Sequence, residues 1–245
     1  MNKLTGKIAV VTGGSSGIGL ATAELFAKEG AHVYITGRRQ KELDEAVKKI
    51  GSNVTAVQSD VSKLEDLDRL YAVIKKQSGH IDILFANAGF AEFSKIEDVS
   101  EDHYDRLFDT NVKGLVFTVQ KALPLFKDGG SIILNASIAA EKGMETFSVY
   151  SATKAAVRAF ARSWTSDLKS RKIRVNTISP GVVITNIFPD GSPRKDFLDF
   201  VVPMIPMGRT GEPEEIASAV LFLAGADSSF VTGINLIADG GMSQV

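Results

Sequence analysis

The chain has 245 residues, 44% hydrophobic and 23% charged, a balance that supports a large buried core under a well-solvated surface. Its 28 basic and 29 acidic residues are well mixed and leave a formal net charge of −1, which argues against a nucleic-acid surface or a polybasic membrane patch. Cysteine is absent, which excludes disulfides and thiolate chemistry, and the three histidines, His32, His80 and His103, are too scattered for a local metal motif and are expected at the surface.

The N-terminal stretch MNKLTGKIAVV is basic, but its apolar run is short and flows into a glycine-rich turn, so it does not read as a signal peptide. No segment reaches the roughly 20 apolar residues of a membrane span, and a cytoplasmic protein is expected. The first β-branched run, KIAVVTG (7–13), leads into TGGSSGIG, with Gly13, Ser15, Ser16, Gly17, Ile18 and Gly19 at a strand-to-helix turn. Glycine there lets the backbone approach a ligand, and the free amides of the helix that follows point at an anion. After a helical pattern comes HVYITG (32–37) and then Arg38 and Arg39, with no acidic residue until Glu42. In the dinucleotide-binding pattern a carboxylate about 20 residues past the turn serves the adenosine ribose, whereas an arginine there accommodates a 2′-phosphate. The arginines therefore predict NADP(H) in preference to NAD(H).

Further strands are expected at NVTAVQSD (53–60), IDILFANAG (81–89), SIILNAS (131–137), IRVNTISPG (173–181) and GINLIADGG (233–241), with helical patterns between them. Nearly uninterrupted apolar strands separated by helices predict an α/β fold: one doubly wound Rossmann-type domain over residues 1–245, with a seven-stranded, mostly parallel sheet and helices on both faces. In SVYSATKAAVRAF (148–160), Tyr150 and Lys154 lie four residues apart, on one helix face. A free tyrosine, with a pKa of about 10, is a poor base at neutral pH. An adjacent ammonium is expected to lower it by roughly 1 to 3 units. Residues 182–215 are dense in proline and glycine yet carry Ile184, Ile187, Phe188, Phe197, Phe200, Met204, Ile205 and Met207, and are expected to form an apolar lid.

Taken together these residues resemble the short-chain dehydrogenase/reductase family over essentially the whole chain. Thr12 to Gly19 matches its T-G-x-x-x-G-x-G turn, ANAG (86–89) its N-N-A-G strand end with alanine in first place, and Ser137, Tyr150 and Lys154 its serine and Y-x-x-x-K. Asn111 matches an asparagine on the family's fourth long helix, and PGVVIT (180–185) its segment around the nicotinamide. Ser15 and Ser16 come without the extra basic residue that many NADP-preferring members carry in this turn.

The resemblance implies carbonyl chemistry in which Tyr150 exchanges a proton with the substrate oxygen, Ser137 hydrogen-bonds that oxygen, Lys154 tunes Tyr150 and holds the nicotinamide ribose, and Asn111 anchors a proton-relaying water. It also implies cofactor contacts from Asp60 and Val61 beside the adenine, from Asn87, Ala88 and Gly89, and from Pro180, Gly181, Val183 and Thr185. Small residues Ala152, Ala155, Ala156 and Ala159 flank the Tyr150 helix, and in the family this helix often packs against a second copy, so a homotetramer or dimer is expected. The alternatives are a non-catalytic nucleotide-binding sensor, dehydration, epimerisation or enoyl reduction on the same scaffold, and a 3-oxoacyl-thioester reductase as the specific activity. Phe90, Phe93, Met144 and Phe147 suggest an apolar substrate pocket.

Overall fold

The computed structural model describes residues 2–185 and 195–245. Seven strands form one sheet: β1 Ile8–Val11, β2 His32–Gly37, β3 Val54–Gln58, β4 Ile81–Ala86, β5 Phe126–Asn135, β6 Arg174–Pro180 and β7 Asn235–Ala238. Their order is β3-β2-β1-β4-β5-β6-β7, and every pair is parallel. The expected architecture is thus observed, although β5 begins at Phe126, five residues before the apolar run. The exposed Lys127–Gly129 stretch carries no strand-like periodicity, and the register to β4 shifts between Ile81 and Ile83.

Alternation along the strands builds two cores. Val10 and Leu84 face one side, against Leu67 and Leu70 of α3 (Leu64–Gln77), Val119 of α5 (Leu115–Ala122) and Val157 of α6 (Ser148–Asp167). Ala9, Val11, Ile83 and Phe85 face the other side, against Phe26 of α1 (Gly17–Lys28), Leu43 of α2 (Gln40–Ile50) and Val220 of α8 (Pro213–Ala224). With both faces covered, the central strands have to be apolar throughout.

Three features depart from the sequence pattern. The helix that carries Asn111 is not continuous: α4 (Glu101–Phe108) passes through a π-helical turn, Asp109–Gly114, into α5. His103 is buried rather than at the surface, with Nδ1 3.6 Å from a Glu92 carboxylate oxygen, while His32 and His80 are half-buried. The expected lid contains a helix, α7 (Lys195–Val201), and Ile205 belongs to a small third core with Ile138, Val201 and Met242. Ile187 and Phe188 lie outside the described residues. Met207 is exposed beside the end of β7, away from the cavity that the lid borders.

Candidate active site

Strand order reverses between β1 and β4, and a crevice forms there beyond the carboxyl ends of the strands, where open α/β sheets bind ligands. A cleft of about 350 Å³ runs along it, lined by Gly13, Ser15, Ser16, Gly17, Ile18 and Gly19 of the turn, by Arg38 and Arg39 after β2, and by Asp60 and Val61 after β3. Asn87, Ala88 and Gly89 after β4, together with Thr185, complete its wall. The turn is shaped for backbone contact. Gly13 and Gly17 adopt φ of +64° and +52°, and a Cβ on Gly19 would lie 2.1 Å from the Gly13 carbonyl oxygen.

Asn87 locks this turn to the strand beside it. Its Nδ2 donates to the carbonyl oxygens of Thr12 (2.9 Å) and Gly13 (3.2 Å), while the Thr12 hydroxyl accepts from the Asn87 and Ala88 amides. Arg39 is held by Glu42 at 3.0 Å, whereas its neighbour Arg38 has no carboxylate partner among the described residues. Asp60 accepts from the amide and hydroxyl of Ser62, a short turn that fixes the chain after β3.

A second cavity of about 840 Å³ adjoins the first and is mainly apolar in lining. Ser137, Tyr150 and Lys154 converge at its floor, together with Pro180, Gly181 and Val183. Tyr150 and Lys154 occupy the first two turns of α6, with Nζ 5.7 Å from the centre of the phenol ring. The Ser137 hydroxyl lies close enough to the Tyr150 phenol to favour its ionisation, and it accepts from the Ala139 amide at 3.1 Å, which fixes its direction. Lys154 is buried and donates to the Asn135 carbonyl oxygen at 2.9 Å; burial lowers its pKa from 10.5 to about 8.

The expected depression of the Tyr150 pKa is not found. Burial raises it, and the nearby Ser137 hydroxyl opposes the rise only in part. The reason is that half-burial of the phenol disfavours the phenolate more strongly than the neighbouring dipoles favour it. Asn111 is buried and lines neither cavity. Its Nδ2 donates to the Phe90 carbonyl (2.9 Å) and to the Thr153 hydroxyl (3.2 Å), and its Oδ1 accepts from the Phe90 amide (3.1 Å). The asparagine side chain therefore clamps the loop after β4, a task not evident from its motif position.

Asn135 escaped the sequence reading, although a polar residue closing an apolar strand two positions before Ser137 was a usable signal. It lines both cavities, donates to Asn87 Oδ1 at 2.9 Å, and leaves its own buried Oδ1 without a partner among the described residues. Met242, near the chain end, also lines the larger cavity and had no such signal.

The sequence matches the family described as Enoyl-(Acyl carrier protein) reductase over residues 13–243. It is 44% identical to the oxidoreductase asL5 of Sarocladium schorii, covering 100% of this chain and 99% of that one. It is 35% identical to the hydroxynaphthalene reductase-like protein Arp2 of Metarhizium brunneum, covering 97% and 95%. The short-chain dehydrogenase/reductase of Serratia marcescens superposes with a TM-score of 0.93 at 33% identity over 98% of this chain and 99% of that one. The chain belongs to the short-chain dehydrogenase/reductase family. It is accordingly an oxidoreductase acting on CH–OH or C=O groups with an NAD(P)(H) cofactor.

The smaller cleft suits such a dinucleotide. The glycine cradle has no space for side chains, and buried polar atoms with no partner among the described residues, Asn135 Oδ1, Thr36 Oγ1 and Ser59 Oγ, belong to residues along its wall. Among the described residues no helix is long and apolar enough to cross a membrane, and no cluster of potential metal ligands occurs.

Proposed function

We propose that this enzyme interconverts a ketone and its secondary alcohol, with NADP(H) preferred over NAD(H) and Tyr150 as the proton donor and acceptor. The observation that carries the reading is the convergence of the Ser137 hydroxyl and the Tyr150 phenol on one cavity beside the buried Lys154. Two O–H groups converging on one point suit a carbonyl oxygen that becomes an alkoxide. The same convergence favours carbonyl reduction over the enoyl reduction in the matched family's description.

When bound, NADP(H) supplies or accepts the hydride at the carbonyl carbon. Gly13, Ser15, Ser16, Gly17, Ile18 and Gly19 would hold its phosphates, Arg38 with Arg39 the 2′-phosphate, and Asp60 with Val61 the adenine. Asn87, Ala88, Gly89, Pro180, Gly181, Val183 and Thr185 would border the nicotinamide half. Tyr150 gives its proton to the substrate oxygen, Ser137 orients and polarises that oxygen, and Lys154 steadies the resulting phenolate. Asn111 holds the loop that borders both cavities, the role its hydrogen bonds support.

Subunit association follows from α6, where Ala152, Ala155 and Ala159 form an exposed stripe of small side chains suited to close helix packing. A dimer or tetramer is therefore expected by sedimentation, and a monomer at micromolar concentration would contradict it. The decisive test is Tyr150→Phe, with turnover and cofactor titration measured together. Turnover should fall about a thousandfold while NADPH still binds, and more tightly than NADH. Undiminished turnover would overturn the mechanism, and equal affinity for NADH would overturn the cofactor preference.

A further inference from the structure

The larger cavity is built asymmetrically. On one side lies α7 with the short turn after it, where Phe197, Phe200 and Met204 border the space and the last two are exposed. On the other side Phe93 and Phe147, from two different loops, stack with ring centres 4.1 Å apart and planes inclined by 24°. Both rings stand edge-on to Tyr150, at 6.0 and 6.1 Å between centres. This pair is held by backbone. The Ser94 amide donates to the Thr146 carbonyl at 3.0 Å, joining the loops beside the rings, and Thr146 takes φ of +68°, an unfavourable conformation for a β-branched residue. Strain of that kind persists only where surrounding contacts enforce it.

An aliphatic chain gains from such a wall only its apolar contact area. A planar π-system gains in addition from stacking or edge-to-face contact with two rings already fixed in place. Phe93 is half exposed and lines the cavity, so its ring is accessible to a ligand there. The oxygen-binding point is set by Ser137 and Tyr150, and the rings neighbour Tyr150, so the part of the substrate that meets them lies next to its carbonyl carbon.

On the basis of the ketone reading above, we infer that the substrate is an aryl ketone whose ring, fused or attached next to the carbonyl, packs against the Phe93–Phe147 pair. The pair then acts as the specificity determinant, and the α7 side of the cavity, with Met204, accepts the remainder of the molecule. A 3-oxoacyl thioester has no ring beside its carbonyl and leaves this wall unused.

The test compares 1-tetralone with 1-decalone, which share a carbon skeleton but differ in having a planar ring beside the carbonyl. Binding to the cofactor-free protein is followed by calorimetry, and turnover is followed with NADPH. Tetralone should bind the native chain more tightly, and the preference should fall about 2- to 10-fold in Phe93→Leu and Phe147→Leu, which keep apolar bulk but lose the ring. The variant-to-native ratio cancels the intrinsic reactivity of the two ketones. Phe93→Tyr, which keeps the ring, should keep the preference. Equal binding of the two ketones by the native chain, or a preference untouched by leucine, overturns the inference. Equal turnover of both ketones would leave the reductase reading standing without the aryl specificity. Selective binding of tetralone without turnover would uphold the ring site and remove the reductase reading instead.

Discussion

Lys154 is a basic group placed where water is nearly absent, and the cost of that placement depends on pH. Its pKa falls from 10.5 to about 8 because burial disfavours the ammonium. Below pH 8 the lysine is protonated in both folded and unfolded chains, so the penalty is fully present. Between about 8 and 10.5 the unfolded chain binds more protons than the folded one, and stability contributed by this group rises with pH. The interval corresponds to roughly 3 kcal/mol, relieved progressively as pH climbs. Neutral lysine can still donate to the Asn135 carbonyl, so deprotonation does not break that bond. Lys154→Met removes the titration while keeping similar bulk. Urea unfolding from pH 7 to 10.5 should show the native chain gaining stability relative to the variant as pH rises, whereas parallel profiles would mean that Lys154 titrates as in water. A protein that accepts this penalty retains an ammonium beside a phenol, which is consistent with the proton chemistry proposed for Tyr150.

At the scale of elements, the π-helical turn between α4 and α5 explains how Asn111 reaches the loop after β4. A π-turn inserts an extra residue into the helical ladder and re-aims the side chains on it, and such turns gather at functional sites. Here it directs the Asn111 amide at both the amide and the carbonyl of Phe90, satisfying a loop that has no strand partner. The same side chain reaches Thr153 on α6, one residue before Lys154, so a single asparagine joins the β4 loop to the helix that bears Tyr150 and Lys154. Asn111→Leu keeps the volume but leaves the two Phe90 backbone groups unpaired, at a cost of about 2 kcal/mol. The melting temperature should fall, and the KM for ketone and for NADPH should both rise, because Phe90 borders both cavities. A stable variant with one KM moved and the other fixed would show that the clamp serves only one side.

For the whole molecule, the parallel sheet was legible in the sequence because strands covered on both faces have to be continuously apolar, and the Gly13–Gly19 turn was legible because only glycine fits there. Ser137, Tyr150 and Lys154 were legible as a set, and the structure places all three at one cavity floor. What was not legible depends on contacts between distant segments. The burial of His103 arises from its fit beside the Glu92 loop, and the raised Tyr150 pKa from enclosure by loops that spacing does not reveal. The chain end is the clearest case. Met242 is buried against Ile138, Val201 and Ile205, its carbonyl accepts from Lys142 at 3.3 Å, and Asp239 fixes the turn around it by accepting from the Gly241 and Ser243 amides. The tail thereby packs against α7 beside the larger cavity, yet it contributes nothing to the lining of the smaller cleft. Met242→Ala should loosen that side at a cost of about 2 kcal/mol. The KM for ketone should rise while the NADPH dissociation constant stays unchanged, measured by steady-state kinetics and by fluorescence titration. Weaker NADPH binding with an unaltered ketone KM would show that the two cavities are coupled through the tail, and that α7 is held by something else.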